Sequence, residues 1–195
     1  RSGRVTGVQT CALPIWMFKG CGSLSKLNVK NFNTASVTVM NQTFAACASL
    51  TELDVSNFDT SKVIVTLGMF RDCTSLKTLN VSGFDTSKVT NMQMMFKNCT
   101  SLTSLDISSF DLTACTNTTD FLTGCTALTT LKTPYNSGTS TISIILPVAM
   151  YDSNDGYKAY ASGATFTLLT ASHTLVSALP TYTVTITVNN SAYGT

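Results

Sequence analysis

Five cysteines recur at a fixed interval along this chain: Cys21, Cys47, Cys73, Cys99 and Cys125 stand 26 residues apart. Leu24, Leu50, Leu76, Leu102 and Leu128 keep the same interval, as do Leu27, Leu53, Leu79, Leu105 and Leu131. Val29, Val55, Val81 and Ile107 form a further column, followed by Phe32, Phe58, Phe84 and Phe110. Phe18, Phe44, Phe70 and Phe96 make another, with Leu122 in fifth place. A unit this small cannot bury its apolar side alone, and only stacking joins those sides into one core. The interval therefore restricts the chain to an array of stacked coils.

Each unit reads CxSLxxLxVSxFxTSxVTxMxxMF with substitutions, and its parts suggest local structure. In LTELDVSNF, Leu53 and Val55 sit two apart and point to one side of a strand, with Asp54 on the other. After Asp59, Val63, Thr66 and Phe70 fall at helical offsets, repeated by Val89, Met92 and Phe96. Asp59 and Asp85, each followed by Thr and Ser, suit caps of a short helical turn. The expectation is an α/β solenoid of the leucine-rich repeat type. It has short parallel strands on the concave face and short helices or 3-10 turns on the convex face. Outer helices wider than the strand spacing of roughly 4.8 Å would supply the curvature.

The stretch MFRDCTSLKTLNVSGFDTSKVTNMQMMFKNCTSL, residues 69 to 102, closely resembles the BspA-like leucine-rich repeat surface proteins. The resemblance runs from about Met17 to Thr133. It implies a bacterial cell-surface or secreted protein and, in related mycoplasma chains, an unassigned function. The outer units depart from the pattern at Asn33-Thr34-Ala35-Ser36 and Asp111-Leu112-Thr113-Ala114, and Thr43, Thr66 and Thr118 replace methionines.

Residues 1–16 do not belong to this pattern, and VTGVQTCALPI resembles the translation of a short-read sequencing adapter. Setting them aside as one would a tag removes Arg1 and Arg4 from a formal charge of +2 and leaves the chain neutral. Only 11% of residues are charged, which gives nucleic acid little to bind. No apolar run reaches the length of a membrane-spanning helix, so membrane contact is not expected.

The units divide the chain into an array over 17–133, a capping segment over 134–180 and a truncated β module over 181–195. Pro134 falls where the next strand would start, and the segment after it must cover the open end of the core. Beyond Pro180, Tyr182, Val184, Ile186 and Val188 alternate as a strand would.

A cysteine column places one thiol per coil along a line, whereas zinc needs ligands converging on a point. A buried thiol stack is expected, with disulfides between adjacent coils as the alternative. Asn28, Asp54, Asn80 and Asp106 invite a calcium reading. Asp54 and Asp106 are two strands apart, roughly 10 Å, too far to share an ion easily. Asp59, Asp85 and Asp111 read as caps rather than metal ligands. Asp152 or Asp155 could serve as a third group for His173, but nothing in the sequence places either beside it, so no catalytic constellation stands out. No cofactor is expected.

What remains is surface. The outward strand positions Lys26, Asn28, Lys30, Glu52, Asp54, Ser56, Thr78, Asn80, Ser82, Ser104, Asp106 and Ser108 form a broad polar ribbon. With the family resemblance, they lead to an expected non-enzymatic adhesion module that binds a protein or an extracellular polymer through the concave face. Arginine and aromatics, the favoured binding anchors, are missing from these columns. The competing reading is a structural stalk that presents other modules and binds nothing itself.

Overall fold

The computed structural model describes residues 16–134, 143–154, 158–167 and 174–178. All of the adapter-like stretch 1–16 except Trp16, together with His173 and the strand expected beyond Pro180, lies outside them. Four three-residue strands recur at the interval of the repeat: β1 (Glu52–Asp54), β2 (Thr78–Asn80), β3 (Ser104–Asp106) and β4 (Thr130–Lys132). The central leucine of each turns inward and its neighbours turn outward, as the pleat requires. β1 pairs with β2 in parallel, Leu53 opposite Leu79, and β3 pairs with β4, Leu105 opposite Leu131. Between β2 and β3 the ladder is interrupted, and in the first coil Leu27–Val29 forms no strand. The strands are shorter than LTELDVSNF suggests because Phe58 N–H already turns back to the Val55 carbonyl at 3.0 Å.

The expected helices are absent among the described residues, and consecutive turns replace them. Val63 N–H closes one turn onto the Thr60 carbonyl at 2.8 Å. The following amides then alternate between their own coil and the next. Thr66, Gly68, Phe70 and Asp72 donate outward to Asn91, Gln93, Met95 and Lys97 at 2.8–3.0 Å, while Met69 and Arg71 donate back to Thr66 and Gly68. An α-helix needs every amide for the carbonyl four residues earlier, and here half of them leave the coil. Left-handed residues also interrupt any helix: Gln42, Gly68, Met94 and Asp120 in one column, Ala46, Asp72, Asn98 and Gly124 in the next. Apolar offsets of three and seven thus serve a string of tight turns as well as a helix. Single bridges linking Val39, Val65, Asn91 and Asn117 extend this second ladder. Since backbone bonds join coils on both faces, the width mismatch that called for curvature is missing. The strands thus form one face of the stack and the turn ribbon the other.

Between the two faces lies one apolar core. Phe18, Phe44, Phe70 and Phe96 stack ring on ring at 5.4–5.7 Å, and Phe121 meets Phe96 edge-on at 5.0 Å where Leu122 takes the column position. Each such pair adds about 0.5–1.5 kcal/mol beyond burial. Cys47, Cys73, Cys99 and Cys125 are buried, unpaired thiols. Each donates to a phenylalanine carbonyl of the preceding coil: Cys47 to Phe18, Cys73 to Phe44, Cys99 to Phe70 and Cys125 to Phe96, at 3.1–3.2 Å. Cys73 N–H reaches the Phe70 carbonyl as well, so both lone pairs of that oxygen are used. The column is thus more than a row of small hydrophobes. It departs from expectation at its start, where Cys21 is exposed and Leu27 only half-buried, because no described coil lies on their far side.

Buried threonines add stitches. Thr60 and Thr86 donate to the carbonyls of Asp85 and Asp111 in the next coil at 2.8–2.9 Å. After the array come β5 (Ser143–Ile145), β6 (Met150–Asp152), β7 (Lys158–Tyr160), β8 (Thr165–Thr167) and β9 (Thr174–Val176). β9 lies antiparallel on β4 with Leu175 opposite Leu131, and β6 and β7 continue the sheet. Ile144, Leu146, Met150 and Leu175 are fully buried and close the last coil. No helix among the described residues is long and apolar enough to cross a membrane.

Two measurements check this packing. A Cβ on Gly83 would sit 1.8 Å from the Ser56 carbonyl oxygen, whereas one on Gly22 meets nothing closer than 3.8 Å. Gly83→Ala should lower stability by about 2 kcal/mol or more, and Gly22→Ala should change it by less than about 0.5 kcal/mol. Equal denaturation midpoints for the two would refute the close approach. Burial pushes the Cys47 thiol up to about 11 and those of Cys73 and Cys125 up to about 12. Alkylation mapped by peptide mass should therefore modify Cys21 in the native state and these three only on unfolding. Labelling of Cys73 or Cys99 as fast as Cys21 would contradict the packing.

Candidate functional site

β1, β2 and β3 each expose their first and third residues, and the two columns so formed shape the strand face. In the third-residue column the Asn and Asp side chains are tied into their own coils. Asp54 accepts from Ser56 N–H at 3.0 Å and Ser56 Oγ at 2.7 Å. Asn80 accepts from Ser82 N–H and Oγ, and Asp106 from those of Ser108. Asn28 accepts from Lys30 N–H at 3.1 Å. These are turns closed by a side chain on the amide two residues on. Ser56, Ser82 and Ser108 therefore belong to turns beyond the strands rather than to the outward ribbon. Their signal was present in the sequence as Asp or Asn followed two residues later by Ser.

The same device recurs at the next corner. Asp59 and Asp85 accept from N–H and Oγ of Ser61 and Ser87, and Asp111 accepts from Thr113 N–H. They cap, as expected, but what they cap is a turn. Among the described residues no group of acidic, cysteine or histidine side chains converges as metal ligands would.

Where the strand ladder is open, the face sinks into a shallow trough of about 440 Å³ running from the first coil to β3. Of the expected ribbon, Asn28, Lys30, Glu52, Asp54, Thr78, Asn80, Ser104 and Asp106 line it, and Lys26, Ser56, Ser82 and Ser108 do not. Its floor holds leucines that periodicity alone assigned to the core. Leu27, Leu53 and Leu79 line the trough; Leu27 and Leu79 are half-buried, whereas Leu53, Leu105 and Leu131 are at most 3% exposed. Asp106 bonds Lys132 at 2.9 Å across the β3–β4 pair.

The serine hydroxyl and amide hold Asp54 below the usual carboxylate range, and Ser61 and Ser87 do the same for Asp59 and Asp85. Partial burial would raise Asp106, but Ser108 and Lys132 outweigh it and its carboxyl is also lowered. A folded value below the unfolded one of about 3.9 gives stability that is complete above that value and lost as pH falls through the lowered ones. The denaturation midpoint should therefore hold steady above about pH 4 and decline below it. Asn80 shows that an amide keeps the same acceptor bonds. Asp59→Asn combined with Asp85→Asn should thus flatten the acid decline, and an unchanged slope would rule out this origin.

Comparison with known proteins adds one match. A family model described as "Mycoplasma protein of unknown function, DUF285" covers residues 15–135, from just before the first coil to just past the last strand of the array. No curated protein and no solved structure matches the chain.

Proposed function

Because this chain belongs to the DUF285 family, we propose that its array is a non-enzymatic cell-surface or secreted leucine-rich repeat module that binds a protein or an extracellular polymer through the strand face. The observation that carries this reading is the trough. There the columns of exposed polar residues coincide with the only apolar side chains that the strand face leaves half-uncovered among the described coils. A surface that spans several coils can spread affinity over many weak contacts. Cys73 and Cys99 are buried and bonded to phenylalanine carbonyls, and Asp54 and Asp59 close turns, which supports a structural rather than a catalytic role for these two columns. A stalk without a ligand is the competing function, and the absence of arginine and aromatics from the trough lining favours it.

Adhesion of the purified chain to immobilised extracellular-matrix and bacterial surface proteins separates the two. Thr78→Arg together with Ser104→Arg would fill the trough from exposed positions, and Lys62→Glu would alter a site outside it. Saturable binding that the double variant weakens at least about tenfold, while Lys62→Glu leaves it intact, supports adhesion. Absence of saturable binding, or binding indifferent to the filled trough, supports the stalk.

A further inference from the structure

We propose that the trough takes an extended, positively charged peptide segment, seating a lysine or arginine between Glu52 and Asp54 while neighbouring apolar side chains cover Leu27 and Leu79. This rests on the strand-face reading above and adds the chemistry of the partner.

Two leucines of the strand face are half-uncovered, Leu27 in the first described coil and Leu79 beside the open junction between β2 and β3. Leu27 and Leu79 belong to coils on either side of β1 and are thus separated by two strand spacings, roughly 10 Å. Between them β1 holds out two carboxylates on the same face, Glu52 and Asp54, roughly 7 Å apart along the strand. The order across the trough is therefore apolar, acidic, apolar.

The charges do not cancel internally. Asp106 is paired with Lys132. Asp54 is engaged through Oδ1 by Ser56 alone, and Glu52 forms no ion pair among the described residues. Lys30, at the rim near Asp54, is the one cation lining the trough. Two carboxylates against one ammonium leave the middle of the trough negative. An acidic polymer would meet like charge there, and no aromatic ring lines the trough to stack against a neutral sugar. A trough of about 440 Å³ holds a few side chains of a strand-like segment laid across the coils, not a folded domain.

Binding of three fluorescent ten-residue peptides to the full chain tests this by anisotropy. All three carry apolar residues flanking a central position occupied by Lys, Gln or Glu. The variant Glu52→Gln with Asp54→Asn removes both charges while keeping the turn, since Asn28 and Asn80 already occupy that column with the same bond. The lysine peptide should bind at least about tenfold tighter than the glutamate peptide. That advantage should shrink about tenfold in the amide variant and as ionic strength rises from about 0.05 to about 0.5 M. If the Gln or Glu peptide binds as tightly as the Lys peptide, and Thr78→Arg with Ser104→Arg abolishes that binding, the cationic assignment falls while the face remains a binding surface. If none of the peptides binds at millimolar concentration, the peptide assignment falls outright, and the adhesion experiment judges the face independently.

Discussion

The fold depends on a backbone bond that leaves its own coil. Along the turn ribbon opposite the strands, every second amide finds its acceptor one unit away, as Thr66, Gly68, Phe70 and Asp72 do with the following coil. Each such bond contributes only about 0.5–1.5 kcal/mol net. A buried amide without one would cost about 1–3 kcal/mol, so the register between coils is held mainly by what a slip would leave unbonded. The aromatic stack, the thiols and the buried threonines repeat the same register through side chains.

This explains why the strand face can be discontinuous without the array coming apart. The ladder there is open between β2 and β3, yet Phe70, Met95 and Phe96 on the other side of the core continue unbroken across the same junction. Structural continuity and surface relief are thus assigned to different faces. The turn ribbon carries the first, and the strand face is free to hold a trough where half-uncovered leucines lie between polar columns.

Much of this was legible in the residues. The recurring Leu, Val, Phe and Cys columns placed the core and the interval, and Asp followed by Thr-Ser placed the caps. The identity of the capped element was not legible, because Val63, Thr66 and Phe70 have the spacing of a helix and the turn ribbon uses it too. The left-handed positions that decide between them are occupied by Gln42, Met94 and Ala46 as well as by Gly68 and Gly124, so composition there gives no consistent signal. The candidate site was legible in part. The polar column could be read from alternation, but the opening of the ladder beside Leu79 is a property of how coils pair, and Leu79 looks no different in sequence from the buried Leu53 or Leu105.

The thiol bond has a direction. Each cysteine serves the carbonyl of the coil before it and leaves its own coil's phenylalanine carbonyl to be served by the coil after. Any interior coil therefore presents the same pair of mating surfaces, one upstream and one downstream. Duplication or loss of one whole unit by recombination within the gene would rejoin matching surfaces, whereas a break of any other length would leave thiols out of register with their carbonyls. Array length can in this way drift over generations without a new fold being invented, and the C-terminal strands that close the stack need to recognise only whichever coil happens to come last.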